Sequence, residues 1–497
     1  MDISVWFFIS SGLFLGWSLG ANHAVHAFGT AVVSKMVKFR TAAIIAGIFV
    51  ILGSVFSGSG TTKTLNDLGA INAIAGSFAV ALAVGISVIL MNKAKLAVST
   101  SNAVIGAIIG WNIFTGSPTD ISSLTKILFS WVVSPILAGL FGFVIFKLIK
   151  RTISKLKIHL LELDNYTRIG LIIVGALTSY SLGANNIANV MGMFISAPLF
   201  SDINLGFFTF TGIQLLFLLG GISIAIGIFT YGSHLMEVVS NELYKVSPLT
   251  GFAIVLAQLF VLILFTSETL ESFLLNNNLP PIPLVPLSIT QVFIGAVLGV
   301  GLAKDPLSIN FKVLGRIAVG WTVAPVSAGL IAFVSLFFIQ NVFEQKVINP
   351  VPYEITQTVL TKLNSEGIQT EKINDLLDQR FDNNKTFLNE LKSRYDFSSK
   401  QIYAIFNYAL IDSFKIDSTL INTMPDKYGF TIVEKSQLKE LHGKSFKHKI
   451  NFEDALFSNL PEWNLTGVTL KDKEISDKKI VIEELFRVSI KNKSSNK

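Results

Sequence analysis

Apolar positions dominate the chain from residue 4 to residue 340 and then give way to a mixed polar pattern. A helix needs about 20 apolar residues to cross a hydrocarbon core. Stretches approaching that length fall at 4–32, 41–58, 70–91, 98–117, 124–147, 169–199, 206–232, 251–277, 284–302 and 313–340. The fourth and ninth are short and interrupted by Ser, Thr, Gly and Pro, which also makes them candidates for re-entrant segments. Beyond residue 340 the spacing is that of short amphipathic helices around 354–378, 385–394, 399–413 and 430–441, with short strands and a helix over 465–490. The pattern predicts an all-α polytopic membrane protein with a small α-rich soluble C-terminal domain at 341–497.

Charge sharpens this division and orients it. Only 15% of the residues are charged, against about 25% in soluble proteins. Of 40 Lys and Arg, 17 lie in residues 1–340, and of 33 Asp and Glu, 11 do, so the apolar block carries nearly all of the net +7. With ten crossings and an outer N-terminus, the inner loops collect Lys35, Lys38, Arg40, Lys93, Lys95, the Lys147–Arg168 run, Lys245, Lys304, Lys312 and Arg316. Only Lys63 and Lys126 remain outside. The positive-inside bias therefore favours ten crossings over a re-entrant fourth segment. Residues 151–168 become a basic cytoplasmic loop, and 341–497 emerges on the extracytoplasmic side. The N-terminal stretch opens with Asp2 and has no basic residue before Lys35, so it reads as a retained span and not a cleaved signal.

The apolar block repeats itself. Ser18-Leu19-Gly20-Ala21-Asn22 recurs identically as Ser181-Leu182-Gly183-Ala184-Asn185. Val98–Gly110 returns as Leu287–Gly299, and Trp131–Leu140 as Trp321–Leu330, in the same order. Five spans per copy is odd, so the second copy enters upside down. The prediction is an inverted 5+5 repeat with broken helices, over 1–150 and 169–340, of the kind found in secondary transporters. A duplicated bundle without a transport role is the plainer alternative.

Polar groups inside a membrane must line a cavity or pair internally. They concentrate in the repeated blocks: Asn22, His23 and His26 in one copy, Asn185, Asn186 and Asn189 in the other. Ser99, Thr100, Ser101 and Asn102 are matched by Ser288, Thr290 and Gln291 after Pro286. A Ser/Thr run before an apolar Ile-Gly-Ala stretch reads as a helix N-terminus inside the membrane, with unpaired N–H groups and the positive pole of the dipole. Two such ends facing each other suit a small anion; a single Ser or Thr more simply bonds back to its own helix. His23 and His26 lie three residues apart on one helix face and titrate near neutral pH. They offer a proton route or N–H donation to an anion, against a neutral pair packing the broken helix or, less simply, a metal pair. Within the spans the only acidic residues are Glu268 and Glu271, near the outer end of theirs, and the chain has no Cys, no phosphate-binding Walker loop and no HExxH. Nothing reads as an enzyme, an ATP-driven pump or a metal centre.

These blocks resemble the inorganic phosphate transporter family of phosphate and sulfate permeases. Gly20–Thr30 (GANHAVHAFGT) and Gly183–Gly192 (GANNIANVMG) are similar to its paired GAND motifs. Ala97–Asn102 with Val104–Ile108, and Pro286–Gln291 with Ile294–Val297, are similar to its PVSTTH element. Ser130–Leu140 carries the SWxxSPxxxGL element. The resemblance covers residues 1–340. It implies a homodimeric permease moving phosphate by alternating access with Na⁺ or H⁺, and a central site lined by Asn22, Asn185, Asn189 and both Ser/Thr clusters. His23, His26 and Asn186 would serve ion coupling. His23 and Asn186 stand where the motif has Asp, His26 where it has Asn, and Asn102 and Gln291 where it has His. An amide is a weaker cation ligand than a carboxylate. Sulfate carried with protons is one alternative substrate reading; an anion sensor signalling through 341–497 is another. The C-terminal domain is near-neutral, with His442 and His448 expected to be solvated and Lys444–Lys449 read as a solvated face and not a nucleic-acid surface.

Overall fold

A computed structural model describes residues 3–93, 98–156, 158–197, 199–205, 209–242, 247–306, 311–422, 424, 428–463 and 469–488. The chain divides into two compact units. One comprises Met1–Phe114, Thr119–Leu270 and Ile282–Asn349, the other Thr115–Pro118, Glu271–Pro281 and Pro350–Lys497.

The helices of the apolar part are α1 (Ile3–Ala24), α2 (Thr30–Val33), α3 (Phe39–Ser57), α4 (Ser59–Leu68), α5 (Ile74–Lys93), α6 (Thr100–Thr115), α7 (Ile121–Leu156), α8 (Leu160–Met191), α9 (Gly212–Glu242), α10 (Pro248–Thr266), α11 (Glu268–Asn276), α12 (Ile289–Lys304) and α13 (Phe311–Asn341). A π turn, Val25–Gly29, joins α1 to α2. The antiparallel pair β1 (Ile203–Asn204) and β2 (Thr209–Phe210) lies between α8 and α9. Among the described residues eight helical segments are long and apolar enough to span a bilayer, which makes this a multi-pass membrane protein.

The fourth and ninth apolar stretches differ from the rest. Each forms a helix of 16 residues, α6 and α12, about 24 Å long against a hydrocarbon core of about 30 Å. Among the described residues these two helices therefore do not count with the eight long spans. The physical reason is local: Ser99 and Ser288 hold the chain out of helix until a hydroxyl accepts the N–H of Asn102 (3.3 Å) or Gln291 (3.4 Å). The stretch 151–168 is also no loop, because α7 runs on to Leu156 and α8 begins at Leu160. Its Lys, Leu and Glu residues are good helix formers.

Helix α12 packs on α7, α1 on α9, α3 on α8 and α9, and α10 on α7, α8 and α12. Several of the helix contacts set glycine against carbonyl. A Cβ on Gly106 or Gly110 in α6 would collide with the carbonyl oxygen of Pro325 or Gly329 in α13. On Gly295 or Gly299 in α12 it would collide with that of Pro135 or Gly139 in α7.

In the second unit, α14 (Gln357–Ser365), α15 (Asn384–Arg394), α16 (Ser399–Ala409), α17 (Ser418–Ile421), α18 (Ile432–Glu440), α19 (Lys449–Asn459) and α20 (Leu470–Phe486) surround two aromatic cores. Tyr353 stacks on Phe387 in one and Phe414 on Phe452 in the other. The strands pair antiparallel, β3 (Tyr353–Glu354) with β4 (Arg380–Phe381) and β5 (Ile411–Lys415) with β6 (Ser445–His448). Residues 411–413, expected to be helical, thus form strand, and the strands expected beyond 465 are replaced by α20 over its described range. His448 is not solvated: it is 1% exposed, opposite Ile411 in the β5–β6 pair, with Nδ1 3.2 Å from the Leu410 carbonyl. His442 Nδ1 accepts the Ser418 N–H at 3.0 Å.

Buried Glu434 ties α18 to α20. Burial alone would raise its carboxyl, but hydrogen bonds from Lys478 Nζ, the Thr431 N–H and Trp463 Nε1 hold it below the ordinary carboxylate value. A depressed carboxylate stabilises the fold above its unfolded pKa and loses that contribution as the pH falls through the folded value. Glu434→Gln should accordingly lower the unfolding midpoint at neutral pH, and the gap to wild type should close below about pH 4. For the bundle, Gly106→Ala should cost about 1–3 kcal/mol of overpacking. It should reduce the detergent unfolding midpoint, while Gly315→Ala, with nothing within 4 Å of the added methyl, should not.

Candidate functional site

Two helix N-termini meet in the interior of the first unit. Ser99 caps α6: its hydroxyl donates to Asn102 Oδ1 (2.6 Å) and accepts the Asn102 N–H. Ser288 caps α12 through Gln291 N–H. The two ends are bonded reciprocally. Ser101 Oγ donates to the Leu287 carbonyl at 2.8 Å, and Thr290 Oγ1 donates to the Val98 carbonyl at 3.0 Å. The first-turn N–H groups of a helix have no acceptor within it, so the junction concentrates donors and the positive ends of two helix dipoles.

Helix α8 clamps this junction. Asn185 binds both sides of the Leu287 residue, its Nδ2 donating to the carbonyl (3.0 Å) and its Oδ1 accepting the N–H (2.7 Å). One turn on, Asn189 Nδ2 donates to Ser101 Oγ at 2.9 Å. Asn186 Oδ1 accepts from Asn185 Nδ2 at 3.3 Å. Ser99, Thr100, Ser101, Asn102, Asn185, Asn186, Asn189, Ser288 and Gln291 are all buried, and Thr290 is half-buried. Asn102 also reaches sideways, its Nδ2 donating to the Trp321 carbonyl of α13 at 3.3 Å.

The first-copy residues are placed differently. Asn22 turns back on its own helix, donating to the Ser18 carbonyl at 3.2 Å. His26 is buried in the π turn with its ring 4.8 Å from that of Phe293 on α12. The side chain of His23 lies outside the described residues. The structure thus gathers Ser101, Asn185, Asn189 and Thr290 around Leu287 and Val98, and it leaves Asn22 in a local bond.

Sequence reasoning missed the Leu287 residue because its contribution is backbone. It also passed over Gln258 in α10, which is fully buried with neither amide atom partnered among the described residues. A lone amide in the apolar run 252–265 was the available signal. No cluster of three His, Cys, Asp or Glu suited to a metal occurs among the described residues.

The chain is similar to known proteins over its apolar part. The profile of the phosphate transporter family matches residues 19–332. A provisionally named phosphate permease of Methanocaldococcus jannaschii is 27% identical over 334 residues, covering 67% of this chain and 97% of its own. One from Pyrococcus furiosus is 25% identical over 402 residues, covering 65% and 92%. A solved sodium-dependent phosphate transporter shares the fold, with a TM-score of 0.55 and 22% identity over 68% of this chain and 99% of its own. The family match ends before Pro350, where the main segment of the second unit begins.

The Asn185 clamp yields a direct expectation. Asn185→Leu strips the Leu287 residue of two buried partners and should cost about 1–3 kcal/mol for each group left unpaired. The detergent unfolding midpoint should drop by more than it does for Asn22→Leu.

Proposed function

The chain belongs to the phosphate transporter family, and on that premise we propose that it is a secondary permease moving inorganic phosphate across the membrane by alternating access. The observation that carries this reading is the reciprocal bonding of two helix N-termini, Ser101 to Leu287 and Thr290 to Val98. Phosphate bound there would take hydroxyl and backbone N–H donors without needing a cationic side chain.

An inverted repeat is supported by exchanged contacts. Gly106 meets Pro325 as Gly295 meets Pro135, and Gly110 meets Gly329 as Gly299 meets Gly139. Each helix of one sequence copy packs on the partner element of the other, with equivalent residues touching. The same exchange recurs where Gly20 abuts Ile224 in α9 and Gly183 abuts Val50 in α3. Alternating access is supported by the burial of the junction, since a bound anion would need the bundle to open before release.

In this reading the coupling ion is sodium, as the name of the structural neighbour suggests. Amide, hydroxyl and carbonyl oxygens would hold it, because the spans carry no acidic residue besides Glu268 and Glu271. Residues 341–497 would lie outside the membrane on the extracytoplasmic face.

Uptake of labelled phosphate into proteoliposomes tests this. A sodium gradient should drive uptake and a proton gradient alone should not; the reverse result would replace sodium with protons. Ser99→Ala combined with Ser288→Ala removes both caps, each contributing about 1 kcal/mol, and should reduce uptake severalfold while membrane insertion is retained. Unchanged uptake would remove the junction from the transport path.

A further inference from the structure

Asn189 is fully buried beside the junction, and its two amide atoms are in unlike situations. Nδ2 donates to Ser101 Oγ at 2.9 Å, whereas Oδ1 has no partner among the described residues. The orientation of an Asn amide is assigned from its network, and here the network forces it. Ser101 has one hydroxyl hydrogen, spent on the Leu287 carbonyl at 2.8 Å. Ser101 Oγ is therefore an acceptor toward Asn189, so Asn189 must present Nδ2 to it. Asn185 fixes the Leu287 residue from the other side. The chain of bonds leaves one buried carbonyl oxygen turned away from Ser101 with no donor among the described residues.

A buried acceptor left unpaired costs about 1–3 kcal/mol, so this oxygen is held for a donor that arrives with the ligand. We propose that Asn189 selects for a protonated oxyanion, its Oδ1 accepting the P–OH hydrogen of phosphate. The inference rests on the phosphate-permease reading and adds the basis of its selectivity. Phosphate and sulfate are both tetrahedral and of similar size, but phosphate keeps a hydroxyl near neutral pH and sulfate has none. Hydroxyl and N–H donors serve both anions equally. Only an acceptor separates them, because a sulfate oxygen against Oδ1 places two acceptors together with no hydrogen between. A site built to bond a substrate hydroxyl rejects the analogue lacking it, and an amide oxygen does so without adding negative charge to a low-dielectric site.

The test is competition by unlabelled anions against labelled phosphate uptake by the full chain in proteoliposomes. It is paired with the stabilisation each anion gives the purified protein on heating. Arsenate keeps an As–OH and should compete at concentrations close to those of phosphate; sulfate should need about tenfold more or higher. Phosphate and arsenate, but not sulfate, should raise the unfolding midpoint. In Asn189→Leu, uptake should fall and the gap between arsenate and sulfate should close to a few-fold. Sulfate competing as well as arsenate in wild type would overturn the assignment, and this needs no variant to fold. An Asn189→Leu protein that loses uptake with its anion preference intact would overturn it too. So would an unchanged preference with a raised half-saturating sodium concentration, which would give Oδ1 to the cation. Absent uptake with anion-selective stabilisation would sink the permease reading and leave the acceptor assignment standing.

Discussion

A backbone that leaves helix inside a bilayer has to find every hydrogen-bond partner within the protein. The largely buried lead-ins at 98–99 and 285–288 are such departures, and the arrangement of the bundle interior follows from how they are satisfied. Val98 and Leu287 each lend a carbonyl to a hydroxyl from the other helix end, and Leu287 is gripped on both its N–H and C=O by one asparagine. Remove the exchange and the Ser101 and Thr290 hydroxyls and the Val98 carbonyl lose their partners in the protein interior. The junction is thus a structural necessity before it is a binding site, which is why small polar side chains do the work that charged ones do elsewhere.

Close packing around the junction depends on the glycines. A short helix with one end in mid-membrane has few residues with which to hold its place. Helices α6 and α12 compensate by lying directly on carbonyl groups of α13 and α7, where backbone approach gives contact without side-chain entropy loss. Pro135 and Pro325 sit inside those long helices at the points of approach. Having no N–H, each leaves the carbonyl four residues earlier, at Trp131 and Trp321, without its helical partner, and Asn102 Nδ2 takes the second of these at 3.3 Å.

Much of this was legible in the chain. Collinear repeats, Ser/Thr clusters after a turn and the asparagines of 183–192 led to the residues that surround Leu287. The failures have physical causes. Asn22 carries the same motif as Asn185 but bonds to its own turn, because identical side chains do not guarantee identical neighbours when the helix after one widens into a π turn and the other ends in a 3₁₀ turn. Hydropathy counted ten spans because it weighs composition, and it is blind to a serine cap that shortens a helix to 16 residues. His448 was misjudged because strand alternation, which buries it, shows only once β5 and β6 are paired.

The length of α7 has a mechanical consequence. Its 36 residues extend about 54 Å, well beyond a hydrocarbon core of about 30 Å. The overhang carries Lys147, Lys150, Arg151 and Lys155. Drawing such charges toward the bilayer centre costs about 2.5–3.5 kcal/mol each, so the helix resists sliding in the direction that pulls its basic end inward. Helix α12 lies on α7 with glycine-to-carbonyl contact and shares that restraint. An inward stroke of this pair would carry that cost, whereas tilting about a fixed depth would not.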